Sequence, residues 1–111
     1  MLNHIFNIMR DIRREYTETN VTENRTGKVL YLPVDSMVNV RVDTDGFTEG
    51  VSLAIKFEEV SDKPGAAFRE IGTFPIPDEA HGILFVKNTD RLRYTLLVDG
   101  ESPDLNVTLR F

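Results

Sequence analysis

Apolar and polar residues alternate most regularly over residues 92–111, with a polar, glycine-containing turn at 99–103 between two alternating segments. The apolar positions are Leu92, Tyr94, Leu96 and Val98 before the turn, and Leu105, Val107, Leu109 and Phe111 after it. A period of two places alternate side chains on opposite faces of a β-strand. The pattern therefore predicts a β-hairpin with one buried face and one solvent-exposed face.

Five further segments between residues 29 and 86 have the composition of short strands, and turn residues separate them. They are 29–34, 37–42, 51–58, 68–76 and 83–86, the last being a short continuous apolar run typical of a strand covered on both faces. No helical pattern falls between these strands, and parallel strands need crossover connections. The predicted architecture is therefore an antiparallel β-sandwich or jelly roll of about seven or eight strands.

The first sixteen residues follow a different period. Their apolar side chains recur at steps of three and four and form one stripe of a helix: Leu2, Ile5, Phe6, Met9, Ile12 and Tyr16. Residues 17–28 are polar and have no period, as in a linker or an extended arm. The predicted organisation is an N-terminal amphipathic α-helix (1–16), a polar linker or arm (17–28) and a mainly β domain (29–111).

The predicted helix has two interpretations that the sequence leaves open. Its apolar stripe packs on the sandwich of its own chain, or it docks on a partner protein, as amphipathic helices fit apolar grooves. In the second case the six stripe residues are the candidate protein-interaction residues. Binding to a membrane surface is disfavoured because the polar face is not strongly basic.

Composition narrows the class of function. A chain of 111 residues fits one domain, and its net charge of −5 disfavours nucleic acid as the main partner. The absence of cysteine excludes disulfides and cysteine-ligated metal centres. No apolar run approaches the ~20 residues of a membrane-spanning helix. The N-terminal segment lacks the order of charges of a signal peptide, so we expect a protein made and kept in the cytoplasm, or in a particle assembled there.

Candidate chemistry is sparse. The two histidines, His4 and His81, are too few for a catalytic zinc site, which takes three protein ligands. The stretch 43–46 resembles part of a calcium-binding loop. It does not fit the EF-hand motif, because Arg41 would occupy the first ligand position and Ser52 the final carboxylate position. A looser calcium site of Asp43, Asp45 and Glu49 is the alternative to a polar turn.

The acidic group of Glu58, Glu59 and Asp62 is a second candidate, because paired carboxylates serve glycoside hydrolysis. Glu58 and Glu59 are adjacent, so on a strand they point to opposite faces, and a solvated strand end is the preferred interpretation. We therefore predict no enzymatic activity and no cofactor.

The β-portion resembles a known family. The stretches 36–42, 50–62 and 68–74 and the closing segment 92–109, with its Leu92-Arg93-Tyr94 start and its Gly100, Ser102 and Pro103 turn, are similar to the small decoration, or cementing, proteins of tailed-bacteriophage capsids. The resemblance covers residues 36–111. The helical N-terminus departs from that family, in which β-structure begins almost at once.

The resemblance implies a jelly roll that sits on the outside of a virion and clamps neighbouring subunits of the major capsid protein. It implies a homo-oligomer, with a trimer favoured, and assembly in the host cytoplasm. Two alternatives stay open: another virion protein of the head–tail neck or tail, and a small ligand- or carbohydrate-binding sandwich. The lack of tryptophan, and tyrosines that fall on apolar stripes, count against sugar stacking.

Overall fold

The computed structural model describes residues 14–32, 37–61 and 63–111, and this part of the chain is built from strands without a helix. The strands are β1 (Glu15–Val21), β2 (Arg25–Thr26), β3 (Leu30–Tyr31), β4 (Met37–Asp45), β5 (Ser52–Val60), β6 (Arg69–Ile76), β7 (His81–Val86), β8 (Arg91–Asp99) and β9 (Leu105–Arg110). The prediction of a mainly β chain is confirmed.

The strands form two antiparallel sheets. The first sheet has the order β1-β9-β4-β7, and the second has the order β2-β8-β5-β6, with β3 also paired to β8. The predicted hairpin of residues 92–111 is divided between the sheets, because β8 lies in the second and β9 in the first. The turn joining β8 and β9 therefore crosses from one layer to the other.

The two layers share one hydrophobic core. The alternation predicted for residues 51–57 is confirmed, since Val51, Leu53, Ile55 and Phe57 are all buried. Phe57 on β5 meets Phe85 on β7 with ring centroids 4.6 Å apart, which joins the second sheet to the first. Aromatic pairs at this separation add to the free energy gained from burial alone.

The turn between β8 and β9 needs glycine at position 100. Gly100 has φ of 117°, and a Cβ there would lie 2.4 Å from the Gly50 carbonyl oxygen. The Asp99 side chain accepts a 2.9 Å hydrogen bond from the Gly100 N–H and fixes the turn. A residue with a side chain would face both a strained backbone and a steric clash.

Residues 17–28, predicted as a linker or arm, instead contain most of β1 and all of β2. Glu15 and Tyr16, placed at the end of the predicted helix, also belong to β1. The inward position 18 is a glutamate and Asn20 has φ of 53° at a shift of register, so the strand lacks regular apolar alternation. Residues 1–13, the rest of the predicted helix, lie outside the described residues.

The run 83–86 is covered on one face only, contrary to the expectation of a strand covered on both. It belongs to β7, which forms an edge of the first sheet, and Ile83 and Phe85 are buried while Leu84 and Val86 are exposed. The alternation of buried and exposed residues cannot be recognised in this run, because the outward positions are as apolar as the inward ones.

Candidate interaction surface

Three aliphatic side chains lie together on the outer face of the first sheet. Met37 on β4 is directly opposite Val86 on β7, and Leu84 is one outward position away. They are 51%, 52% and 62% exposed, respectively. We call Met37, Leu84 and Val86 the β7 patch. A cluster of exposed aliphatic side chains marks an interaction surface more often than isolated apolar residues do.

The strand that carries this patch also has an open edge. Because β7 ends the order of the first sheet, one side of its backbone has no neighbouring strand among the described residues. Its sequence contains no charged Asp, Glu, Lys or Arg residue and no proline. Charges, proline and bulges are the usual devices that keep an edge strand from pairing with another chain.

The other sheet edges do carry such devices. The outer strand β1 has an irregular register around Asn20, and β6 has a bulge and Pro75. The third edge, opposite β6, is formed by β2 and β3, each of two residues. Among the described edges, β7 is therefore the one best suited to accept another strand.

Elsewhere on the same outer face, charged side chains pair across the strands. Arg110 on β9 contacts both Glu15 on β1, at 3.2 Å, and Asp43 on β4, while Arg41 lies 3.7 Å from Asp43. The hydrogen bond to Glu15 raises the pKa of Arg110. The Asp43 carboxylate, a candidate calcium ligand, is thus engaged by two guanidinium groups.

Glu59 is buried and holds a turn, which corrects the expectation of a solvated strand end. Its side chain is 3% exposed and accepts hydrogen bonds from the Asn88 N–H at 2.6 Å, the Thr89 N–H at 3.3 Å and Arg69 at 2.7 Å. Burial alone would raise the pKa of Glu59, but these donors outweigh burial and hold that pKa below its usual value. Glu58 pairs instead with Arg93 at 3.0 Å. Asp62 lies outside the described residues.

The remaining metal-ligand candidates do not converge. Asp45 and Glu49 are exposed, and His81 is half-buried at the start of β7. The described ranges contain no group of three or more His, Asp or Glu side chains that could hold a metal ion. His4 lies outside them.

Of the six residues predicted for protein interaction, the described residues include Tyr16 alone. Its ring is half-buried and meets the Phe111 ring edge-on, with centroids 5.9 Å apart, so Tyr16 packs on its own domain. Leu2, Ile5, Phe6, Met9 and Ile12 lie outside the described residues. The hydrophobic periodicity of the sequence does not reveal the β7 patch, although the absence of Asp, Glu, Lys and Arg over 81–86 is a signal of it.

The tyrosines differ in exposure, although the sequence places each of them on an apolar stripe or within an apolar run. Tyr94 is buried, but Tyr31 is 57% exposed beside the exposed Val29. Phe68, which directly precedes β6, is covered by the Arg93 guanidinium at 3.5 Å from its ring centroid. The described surface thus offers one uncovered tyrosine rather than a row of stacking aromatics.

Two open grooves flank the sheets. One, of about 450 Å³, lies beside the β8–β9 turn, and the other, of about 420 Å³, lies beside the β4–β5 turn around Phe47. In the first groove, Asn24 is already bonded to the Val98 N–H at 2.9 Å. Within the described ranges, no helix has the length and apolar character needed to cross a membrane.

Comparison with known proteins assigns the chain to no family: it matches no protein-family model, and no curated protein matches it in sequence.

Proposed function

We propose that this chain is a structural protein without enzymatic activity, a capsid decoration or cementing protein of a virion. In this role it binds the outside of a phage head through the major capsid protein and stabilises contacts between capsid subunits. It works in repeated copies on a repeating surface.

The observation that carries the proposal is an exposed aliphatic cluster on a surface where other side chains pair with one another. Several charged side chains are paired within the fold, as with Arg110 and Asp43 or Arg69 and Glu59. Among the described residues, the aliphatic β7 patch combines exposed apolar side chains with an open strand edge. Such a surface supports association with proteins rather than turnover of a substrate.

The fold adds support. Counting β2 and β3 as one interrupted strand gives eight strands in two four-stranded antiparallel sheets. Two layers of four strands are the arrangement of a jelly roll, a fold frequent in capsid proteins. This agrees with the resemblance of residues 36–111 to decoration proteins.

Repetition makes a small contact surface sufficient. When several linked copies bind neighbouring sites on a lattice, the later contacts form at a high effective concentration, and avidity rises by roughly 10²–10⁴ without new contacts. A domain of this size can then stay attached although each individual contact is weak.

Sedimentation of the native source material tests the proposal. We expect the chain to travel with large particles in many copies per particle, and to leave them only under conditions that weaken apolar contacts. A chain that sediments with the small proteins would contradict a virion role and favour the ligand-binding sandwich. An assembly of six or twelve copies at a particle vertex would favour the neck or tail instead.

A matched pair of variants tests whether the N-terminal stripe is the capsid-binding arm. Ile5→Asp with Met9→Asp places two charges on the predicted stripe, and Asn3→Asp with Asn7→Asp adds the same charge away from it. We expect the first pair to reduce particle binding at least tenfold and the second to preserve it. Equal binding by both would remove the stripe from the interface.

A further inference from the structure

We infer that two copies of this chain pair through β7, edge to edge and antiparallel, so that the first sheet continues from one copy into the other. The partner is thus a second copy of the chain. This inference does not depend on the virion role, because it concerns the isolated protein in solution.

The backbone supplies the first argument. An edge strand presents a row of N–H and C=O groups that can bond a further strand. β7 is six residues long and ends its sheet, whereas the opposite edge of the same sheet, β1, is irregular around Asn20. The open side of β7 therefore offers a regular stretch of backbone for pairing.

Charge selects a second copy as the partner. The chain has a net charge of −5, so two copies carry a net electrostatic repulsion. β7 lacks Asp, Glu, Lys and Arg, which makes it a strip where identical chains can approach without placing like charges opposite each other. A two-fold contact uses the same patch on both subunits, and an uncharged aliphatic strip is complementary to itself.

Side-chain shape favours one register. If the two Leu84 side chains lie beside each other at the two-fold axis, Gly82 of each copy faces Val86 of the other. A Cβ added at Gly82 would meet nothing within 4 Å, so there is room for the valine. The exposed sides of Leu84 and Val86 would then be covered on both copies, with Met37 next to Val86 on the neighbouring strand.

The predicted contact is small. Stable dimers bury roughly 1,200–2,000 Å² in total, and two paired six-residue strands with the β7 patch lie at or below the lower end of that range. We therefore expect a reversible dimer whose population rises with concentration. A two-fold contact closes on itself, so it gives dimers rather than the trimer that the resemblance implies.

Sedimentation equilibrium of the purified full chain over a hundredfold range of concentration is the first test. We expect a monomer–dimer equilibrium. Leu84→Lys should weaken the dimer at least tenfold in dissociation constant, whereas Thr17→Lys should leave it unchanged. Thr17 is an exposed outward residue of β1 in the same sheet, so the control adds the same charge at the other edge. A monomer throughout, a trimer, or equal association of both variants would overturn the inference.

Cysteine crosslinking gives a second measurement that does not rely on disrupting the contact. The chain has no cysteine, so Leu84→Cys introduces a unique thiol. With oxidised glutathione we expect rapid disulfide-linked dimers from Leu84→Cys and slow ones from Thr17→Cys. Equal rates would refute the proposed contact. The contact would also be refuted if the thiol at position 84 neither formed a disulfide nor reacted with a maleimide. Position 84 would then be covered by another part of its own chain.

Discussion

The hydroxyl of Tyr94 on β8 donates a 2.8 Å hydrogen bond to the carboxylate of Glu18 on β1, and this bond connects the two sheets. Burial raises the pKa of Tyr94 above its ordinary value, and the bond to the negative Glu18 raises it further. Arg25 lies 3.5 Å from the same carboxylate. The inward-facing Glu18 of β1 is thus joined to the second sheet by Tyr94 and Arg25.

Tyr94→Phe removes the hydroxyl and should lower the free energy of unfolding by about 1–2 kcal/mol, because the Glu18 carboxylate loses a buried donor. Because the pKa of Tyr94 is raised in the folded protein, the contribution of the neutral phenol to stability is complete below pH 10.0, the ordinary value, and is lost as the pH rises from there through the raised pKa. Urea unfolding at neutral and alkaline pH measures both effects. The exposed Tyr31→Phe should change stability by less than about 0.5 kcal/mol; equal losses would contradict this role of the bond.

The same tyrosine leaves no room for a side chain at Gly27. A Cβ there would lie 2.3 Å from Cζ of the Tyr94 ring, and the Gly27 N–H already bonds the Tyr94 carbonyl at 2.9 Å. Gly27→Ala should therefore cost about 2–3 kcal/mol, a typical cost of overpacking. Thermal unfolding should show a lower midpoint for this variant.

The matched control is Gly82→Ala, where the added methyl group meets open space. Because Gly82 also lies on the proposed β7 contact, both variants should be measured at a concentration at which the chain is monomeric, and there Gly82→Ala should leave the midpoint nearly unchanged. Combining Gly27→Ala with Tyr94→Leu should cost less than the sum of the single changes, because the shorter side chain makes room for the alanine. Strict additivity would show that the ring is not the source of the cost.

The parts of the fold that follow from simple alternation could be predicted from the sequence. Residues 51–57 and 92–98 alternate because one face of each strand meets the core, and the structure places their apolar sets inward. The polar β1 could not be recognised in this way. Its inward Glu18 is stabilised by Tyr94, a residue 76 positions away, and such a distant partner leaves no periodic signal in the local sequence.

The β7 patch could not be recognised from periodicity for the opposite reason, because outward-facing residues are apolar there. Leu84 and Val86 are apolar although they face outward, so periodicity alone assigns the run to a covered strand. Glu59 is the converse case, a charged residue at an inward, buried position. Its burial depends on the turn at Asn88 and Thr89, whose N–H groups donate hydrogen bonds to the carboxylate and leave no signal in the local sequence. Both cases depend on which strand lies at an edge, which is a property of the topology.

Thr44 on β4 gives a prediction about an unused polar group. Its Oγ1 is buried and has no hydrogen-bond partner among the described residues. Replacing an unpaired buried hydroxyl by a methyl group of similar size removes a desolvation penalty, so Thr44→Val should raise stability by about 1 kcal/mol. Thr108→Val, whose hydroxyl lies 3.2 Å from the Thr17 hydroxyl, is the control and should give no gain. A loss of stability in Thr44→Val would indicate a partner for its hydroxyl.

Glu59 predicts how the fold responds to acid. Its lowered pKa means that the charged carboxylate stabilises the folded state, fully above the ordinary value of 4.5, and that this contribution is lost as the pH falls through the lower folded pKa. Glu59→Gln should cost about 1–3 kcal/mol at neutral pH, because the amide turns a donor toward groups that need an acceptor. Denaturant unfolding at neutral pH and at successively lower pH should show this difference shrinking below pH 4.5. Glu58→Gln, which alters a more exposed carboxylate than that of Glu59 (14% against 3%), should cost less. A Glu59→Gln deficit that stays constant with pH would show that shape, rather than charge, makes Glu59 necessary.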